Sequence, residues 1–116
     1  SGDAAIKKWI DEQLKGTSVT VVLIGSETNS REYVKYELKK SYEKGNGMLG
    51  IFIHKIKDKD GNTSVKGSNH FGEIGKDSNG NSVYFSSEYT TYDWIDDDGY
   101  NNMGKWIELA AKNAGR

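Results

Sequence analysis

The chain has 116 residues, enough for one domain with a modest core, and 16 basic against 17 acidic side chains leave a net charge of −1. That balance leaves no electrostatic footprint for nucleic acid or an anionic membrane, and the longest apolar run is too short to span a bilayer. With no cysteine there is no disulfide and no thiolate metal site, and a cytoplasmic location is the natural expectation.

The first segment, DAAIKKWIDEQLKG, predicts a helix over 3–15. Asp3 can cap it, Ile6, Trp9, Ile10, Gln13 and Leu14 recur at helical spacing, and Gly16 supplies the stop. The leading Ser1-Gly2 reads equally as native sequence or as a remnant of expression. Val19 to Ile24 is then apolar at nearly every position and rich in β-branching. That predicts a strand covered on both faces, in the interior of a parallel sheet.

The stretch SREYVKYELKKS opens a helix over 30–44, with Asn29 and Glu32 spaced as a capping box. Val34, Leu38, Ser41 and Tyr42 form its inward stripe, while Lys35, Lys39 and Glu43 face water. Glu37 lies on the shoulder between, on the ridge of Tyr33 at i,i+4. It is either a solvated surface glutamate or a carboxylate held at a site. Gly45 or Gly47 ends this helix, and MLGIFIH predicts a second two-sided strand over 48–53, parallel to the first.

From 55 to 82 the pattern dissolves into a long polar loop, with Asp60-Gly61 and Asn79-Gly80 as turn signals. One or two short strands follow in SVYFSSEYTTYDW, with 89–94 the segment that joins the parallel sheet. NNMGKWIELAAKNAG predicts a last helix over 101–114, its inner face Met103, Ile107, Ala110, Ala111 and Ala114, with Asp97 or Asp98 at its start. The whole reads as one α/β domain over 1–116, with about three strands and three helices.

Chemical motifs are sparse. DKDGN at 58–62 lacks the ligands of a calcium loop and reads as a turn, and DDDG at 96–99 reads as caps and solvated charge. His54 and His70 lack metal-ligand spacing, so no metal site is expected. His54 does end a strand, at the carboxyl edge where open α/β sheets bind ligands. There is no P-loop, no G-x-G-x-x-G and no nucleophile elbow. Trp9, Trp94 and Trp106 read as core or rim aromatics.

The run SVTVVLIGSETNSREYVKYELKKSYEKGNGMLGIFIH resembles the centre of a TIR-like domain: an apolar strand ending in a small residue and Ser, then Ser, an aromatic and a Glu-Leu pair on the next helix. More narrowly, LIGSET, VKYELKKS, KDKDGN, YDWIDDDGYNN and GKWIE resemble the TIR-like family of bacterial Thoeris anti-phage defence, across almost the whole chain. The resemblance implies a flavodoxin-like parallel sheet with helices on both faces. It implies NAD as substrate, with no added cofactor: the nicotinamide–ribose bond is cleaved and the ADP-ribose part cyclised into a signal or hydrolysed. It places the family's glutamate on Glu37 and its small-residue turn on Gly25 and Ser26. A cleft at the carboxyl ends of the strands is expected to hold these residues, with His54 and Trp94 as further nucleotide-binding candidates.

Such domains carry a strand, a helix and a second strand ahead of the helix that opens this chain. On the resemblance this sequence corresponds to the carboxyl-terminal two-thirds of one, and activity belongs to the full-length parent. The missing first strand would leave one edge of 19–24 open, so that this chain self-associates there or residues outside it complete the sheet. The alternative is a non-catalytic TIR-like interaction module, in which Glu37 is plain surface. A phosphorylation receiver is disfavoured, because Ile24 is followed by Gly25-Ser26-Glu27 and not by an aspartate.

Overall fold

A computed structural model describes residues 2–116, and Ser1 lies outside the described residues. The chain runs α1 (Gly2–Leu14), β1 (Val19–Ile24), a 3-10 turn (Thr28–Ser30), α2 (Glu32–Lys44), β2 (Gly47–Phe52), β3 (Glu73–Lys76), β4 (Ser82–Tyr84), the single turn α3 (Phe85–Glu88), β5 (Thr91–Asp93) and α4 (Gly99–Asn113). The main sheet has the order β1-β2-β5. All its pairings are parallel, from Val19↔Gly47 to Ile24↔Phe52 and from Gly50↔Thr91 to Phe52↔Asp93. This is the parallel α/β sheet that the hydrophobic periods imply.

Strand alternation splits the core into two layers. Val22, Ile24, Met48 and Phe52 point to one face and pack with Leu38 of α2. Leu49 and Ile51 point to the other and pack with Trp106 of α4. Helices therefore cover both faces, as a flavodoxin-like, TIR-like architecture requires. Burial on the α2 face also includes a polar pair, Thr20 Oγ1 and Ser41 Oγ at 2.7 Å. α2 ends at Gly45, whose φ of 82° is the left-handed stop.

β1 stands at the edge of this sheet, the open side expected where the strand beside it is missing, and β2, buried along its whole length, is paired on both sides. Leu23 at that edge is 54% exposed. Three expectations are corrected. Asn29 does not cap α2, because Thr28–Ser30 form the 3-10 turn and Arg31, with no side-chain bond to the helix, takes the cap position. Asp3 does not cap α1 either, since it sits inside the first turn, where it meets Lys7 and accepts a hydrogen bond from Tyr33 Oη. On α1 only Ile10 and Leu14 are buried, and Ile6 and Trp9 face outward.

The third correction concerns the stretch 55–82. It contains an antiparallel hairpin, with Glu73↔Tyr84 and Lys76↔Ser82 in register. The hairpin turns on Asp77, whose carboxylate accepts the backbone N–H of Asn79 and Asn81. Ile74 and Val83 point inward from it and join Phe71 and Phe85 in the α2-side core. The segment between β2 and β3 forms a strap. It is fastened by Ser64 N–H to the His54 carbonyl at 2.9 Å. Its Gly67 lies so close to β1 that a Cβ there would sit 2.0 Å from the Gly25 carbonyl oxygen.

Candidate functional site

In a parallel sheet the carboxyl ends of the strands form the crevice for ligands, because the loops that leave them diverge to opposite faces. Here those loops are 25–31 after β1 and the strap after β2. Between them lies an open hollow of about 520 Å³, lined by Gly25, Ser26, Arg31, Ile56, Lys57 and Ser64 among others. The turn after β1 is shaped by Thr28, whose hydroxyl oxygen accepts the Gly25 N–H at 2.8 Å. A better enclosed cavity of about 290 Å³ opens at the opposite end of the sheet, walled by Tyr42, Tyr89 and Trp106. It stands at the amino ends of β2 and β5, far in the topology from the loops that carry the candidate residues.

Gly25 and Ser26 line the hollow. Glu37 lines neither it nor the opposite cavity. It projects from the middle of α2, half-buried, with no hydrogen-bond or ion-pair partner among the described residues. Burial pushes its carboxyl pKa up, and among the described carboxyl groups it is the one with a resolved upward shift. The two tyrosines beside it are engaged elsewhere. Tyr33 Oη donates to Asp3 and Tyr36 Oη to Asp11 at 2.8 Å, which ties α2 to α1.

His54 and Trp94 come together at the carboxyl ends of β2 and β5 but do not line the hollow. His54 is 8% exposed, its Nε2 is 3.9 Å from Asp93 Oδ2, and its buried Nδ1 has no partner among the described residues. Asp93 is held by the backbone N–H groups of Ile95 and Asp96 on its Oδ1. Burial pushes its pKa up, but these two donors, Lys55 and His54 outweigh that, and the net shift is downward. The Trp94 ring is packed against Gly99, where a Cβ would fall 2.1 Å from the indole. That close packing seats the start of α4 on the end of β5.

The acidic clusters are occupied by the protein itself. Asp96 pairs with Lys55, Asp97 accepts the Asp93 N–H, and Asp98 accepts the Asn101 side chain. Asp58 accepts the N–H groups of Asp60 and Asn62 and so closes the DKDGN turn. Among the described residues no three His, Asp or Glu side chains gather as a metal would need. No described helix is long and apolar enough to cross a membrane.

Sequence reasoning passed over Arg31 and Lys57, which stand on the two loops that border the hollow. Both lie in stretches that carry the family resemblance, Lys57 in KDKDGN and Arg31 in SREYVKYELKKS, but neither was singled out as a site residue. A further signal was Arg31's place directly ahead of a helix that follows a buried strand.

The model of the Thoeris protein ThsB TIR-like domain matches residues 1–58. A protein of Bacillus cereus (strain MSX-D12) named "Putative cyclic ADP-D-ribose synthase ThsB1" is 36% identical over 143 aligned positions, which cover 92% of this chain and 74% of that protein. The chain belongs to the Thoeris ThsB TIR-like family. Gly25, Ser26, Glu37 and His54 all fall inside the matched segment, and Trp94 lies beyond it. In this ThsB-like domain the family region thus spans α1 to β2 and the first turn of the strap.

Proposed function

We propose that this TIR-like domain acts on NAD, cleaving the nicotinamide–ribose bond, with Glu37 as the carboxylate that stabilises the reacting ribose. The ADP-ribose part is then cyclised or released by water as a defence signal. The observation that carries the reading is the Glu37 carboxyl. It is half-buried and free of protein partners, in the segment shared with the family. The name of the Bacillus cereus relative, a cyclic ADP-D-ribose synthase, supports the same substrate.

The chemistry asks little of the protein. When the N-glycosidic bond breaks, the bonding pair leaves with nicotinamide, which departs neutral, so no general acid is needed. The ribose carbon develops oxocarbenium character, as in glycoside hydrolysis. A carboxylate beside it offsets that positive charge and holds the ribose hydroxyls. A nucleophile, either water or a nitrogen of the adenine ring, then forms the new bond to the same carbon. Because the raised pKa of Glu37 favours its neutral form, activity falls on acidification at a higher pH than an ordinary glutamate would impose.

The test is incubation of the full-length protein with NAD followed by nucleotide chromatography. Glu37→Gln abolishes NAD loss while the fold is retained. Undiminished turnover by that variant moves the role elsewhere.

A second reading, a non-catalytic interaction module, is favoured by one feature. The outer edge of β1 has no strand partner among the described residues, and Leu23, Ile6 and Trp9 are all exposed. On that reading a second copy pairs along β1. Light scattering decides: a strictly monomeric protein at high concentration rules this mode out.

A further inference from the structure

We propose that the hollow at the carboxyl end of β1 holds the ribose-diphosphate part of a nucleotide, with Arg31 and Lys57 on the phosphates and Glu27 on the hydroxyls of the ribose that does not react. The nucleotide's identity rests on the NAD reading above. The residues named here are ones that reading does not use.

Charge and placement carry the inference. Arg31 stands at the cap position of α2 and Lys57 on the strap, so the two cations reach the hollow from independent loops. Neither makes an ion pair with any described residue. A fork of guanidinium donors on one side and an ammonium on the other suits the oxygens of adjacent phosphates. Ser26 and Ser64 line the same hollow, and their hydroxyls have no hydrogen-bond partner among the described residues.

Two carboxylates also line it, Glu27 and Asp58, and they select among anions. Asp58 is turned inward on its own loop, where its Oδ1 accepts the N–H groups of Asp60 and Asn62. The Glu27 carboxylate makes no hydrogen bond to any described residue, although its backbone carbonyl accepts the Ser30 hydroxyl. A free carboxylate next to two cations repels a bare phosphate but accepts hydrogen bonds from a sugar diol. The set of groups therefore fits a sugar diphosphate better than an inorganic one. Ile53 and Ile56 add apolar surface to the lining. Glu37 follows Arg31 on the same helix, under two turns along.

The test is binding without turnover: calorimetry and amide shift mapping with ADP-ribose, inorganic pyrophosphate and ribose as separate probes. ADP-ribose is expected to bind most tightly and to shift amides at 25–31 and 57–64. Arg31→Ala and Lys57→Ala each weaken it by about tenfold, and Arg31→Lys recovers part of the loss. Glu27→Gln weakens ADP-ribose yet tightens pyrophosphate, a sign reversal that loss of structure does not produce. Pyrophosphate binding as tightly as ADP-ribose, with Glu27→Gln tightening both, would show a simple anion patch and overturn the proposal. So would unchanged ADP-ribose affinity in the Arg31→Ala, Lys57→Ala double variant. NAD turnover separates the two readings. Cleavage that persists in the double variant refutes the clamp alone, whereas ADP-ribose binding as described without any cleavage refutes the enzymatic reading alone.

Discussion

Gly67→Ala tests how the strap is seated on the sheet. A Cβ at this position falls 2.0 Å from the Gly25 carbonyl oxygen, 2.8 Å from its carbonyl carbon and 3.2 Å from Ile24 Cγ2. Relaxed contact needs roughly 3.5 Å, so the strap must lift from the end of β1. The two closest atoms are backbone, and no rotamer change relieves them. The strap resists lifting because Ser64 N–H is bonded to His54 at 2.9 Å and Phe71, 3% exposed, is locked in the core. Overpacking of this kind costs about 1–3 kcal/mol, or roughly 4–15 °C in Tm for a domain of this size. Thermal denaturation gives the first number, and amide exchange at Ser64 reports whether the strap itself has opened. Gly104→Ala is the control of opposite sign. Gly104 is exposed within α4 with nothing within 4 Å of the added carbon, and the change stabilises by about 0.5–1 kcal/mol. An unchanged Tm for Gly67→Ala, with the Ser64 amide still protected, would refute this packing of the strap on Gly25.

Leu38→Ala removes a side chain that is 0% exposed at the centre of the α2-side core, and costs about 2–5 kcal/mol by denaturant titration; a loss under about 1 kcal/mol contradicts that placement. Burial, with the nearby charges of Glu88 and Tyr42, pushes the Tyr89 phenol up to about 12. The folded protein disfavours the phenolate, so this group's contribution to stability is intact below pH 10 and lost as pH rises from 10 toward 12. Tyr89→Phe should flatten that alkaline decline, and a variant with the parental slope excludes Tyr89 as its source. For Glu37 the same sign applies in the acid range. Its raised pKa makes ionisation cost stability as pH climbs through that value, so Glu37→Gln leaves the Tm at neutral pH unchanged or slightly higher. A large fall in Tm would mark Glu37 as a structural residue.

The elements that announce themselves by period were legible in the chain. Val19–Ile24 falls where its apolar run lies, and α1, α2, β2 and α4 agree with expectation to within two residues at each end. These segments are long enough for a period of 2 or 3.6 to repeat, and each carries its own stop, as Gly45 does for α2. β3 and the α3 turn were not legible, and β4 only as one of the short strands in SVYFSSEYTTYDW, because β3 has four residues, β4 three, and each strand offers one buried apolar side chain, Ile74 or Val83. No period can be read from a single apolar residue. At the site, local sequence marked Gly25, Ser26 and Glu37 by their place in a strand–turn–helix, and the resemblance marked what they would do. It did not show that the turn after β1 faces the strap, because 25–31 and 56–64 are distant in the chain and meet through the β1–β2 pairing and the Gly67–Gly25 contact. The sequence by itself determined the parallel α/β class, since periodicity is a local property of consecutive residues. Only the tertiary structure decided that β2 pairs on both sides, that Phe71 and Phe85 knit the polar stretch into the core, and that Arg31 and Lys57 share one hollow, because each of these is a long-range contact that no local pattern encodes.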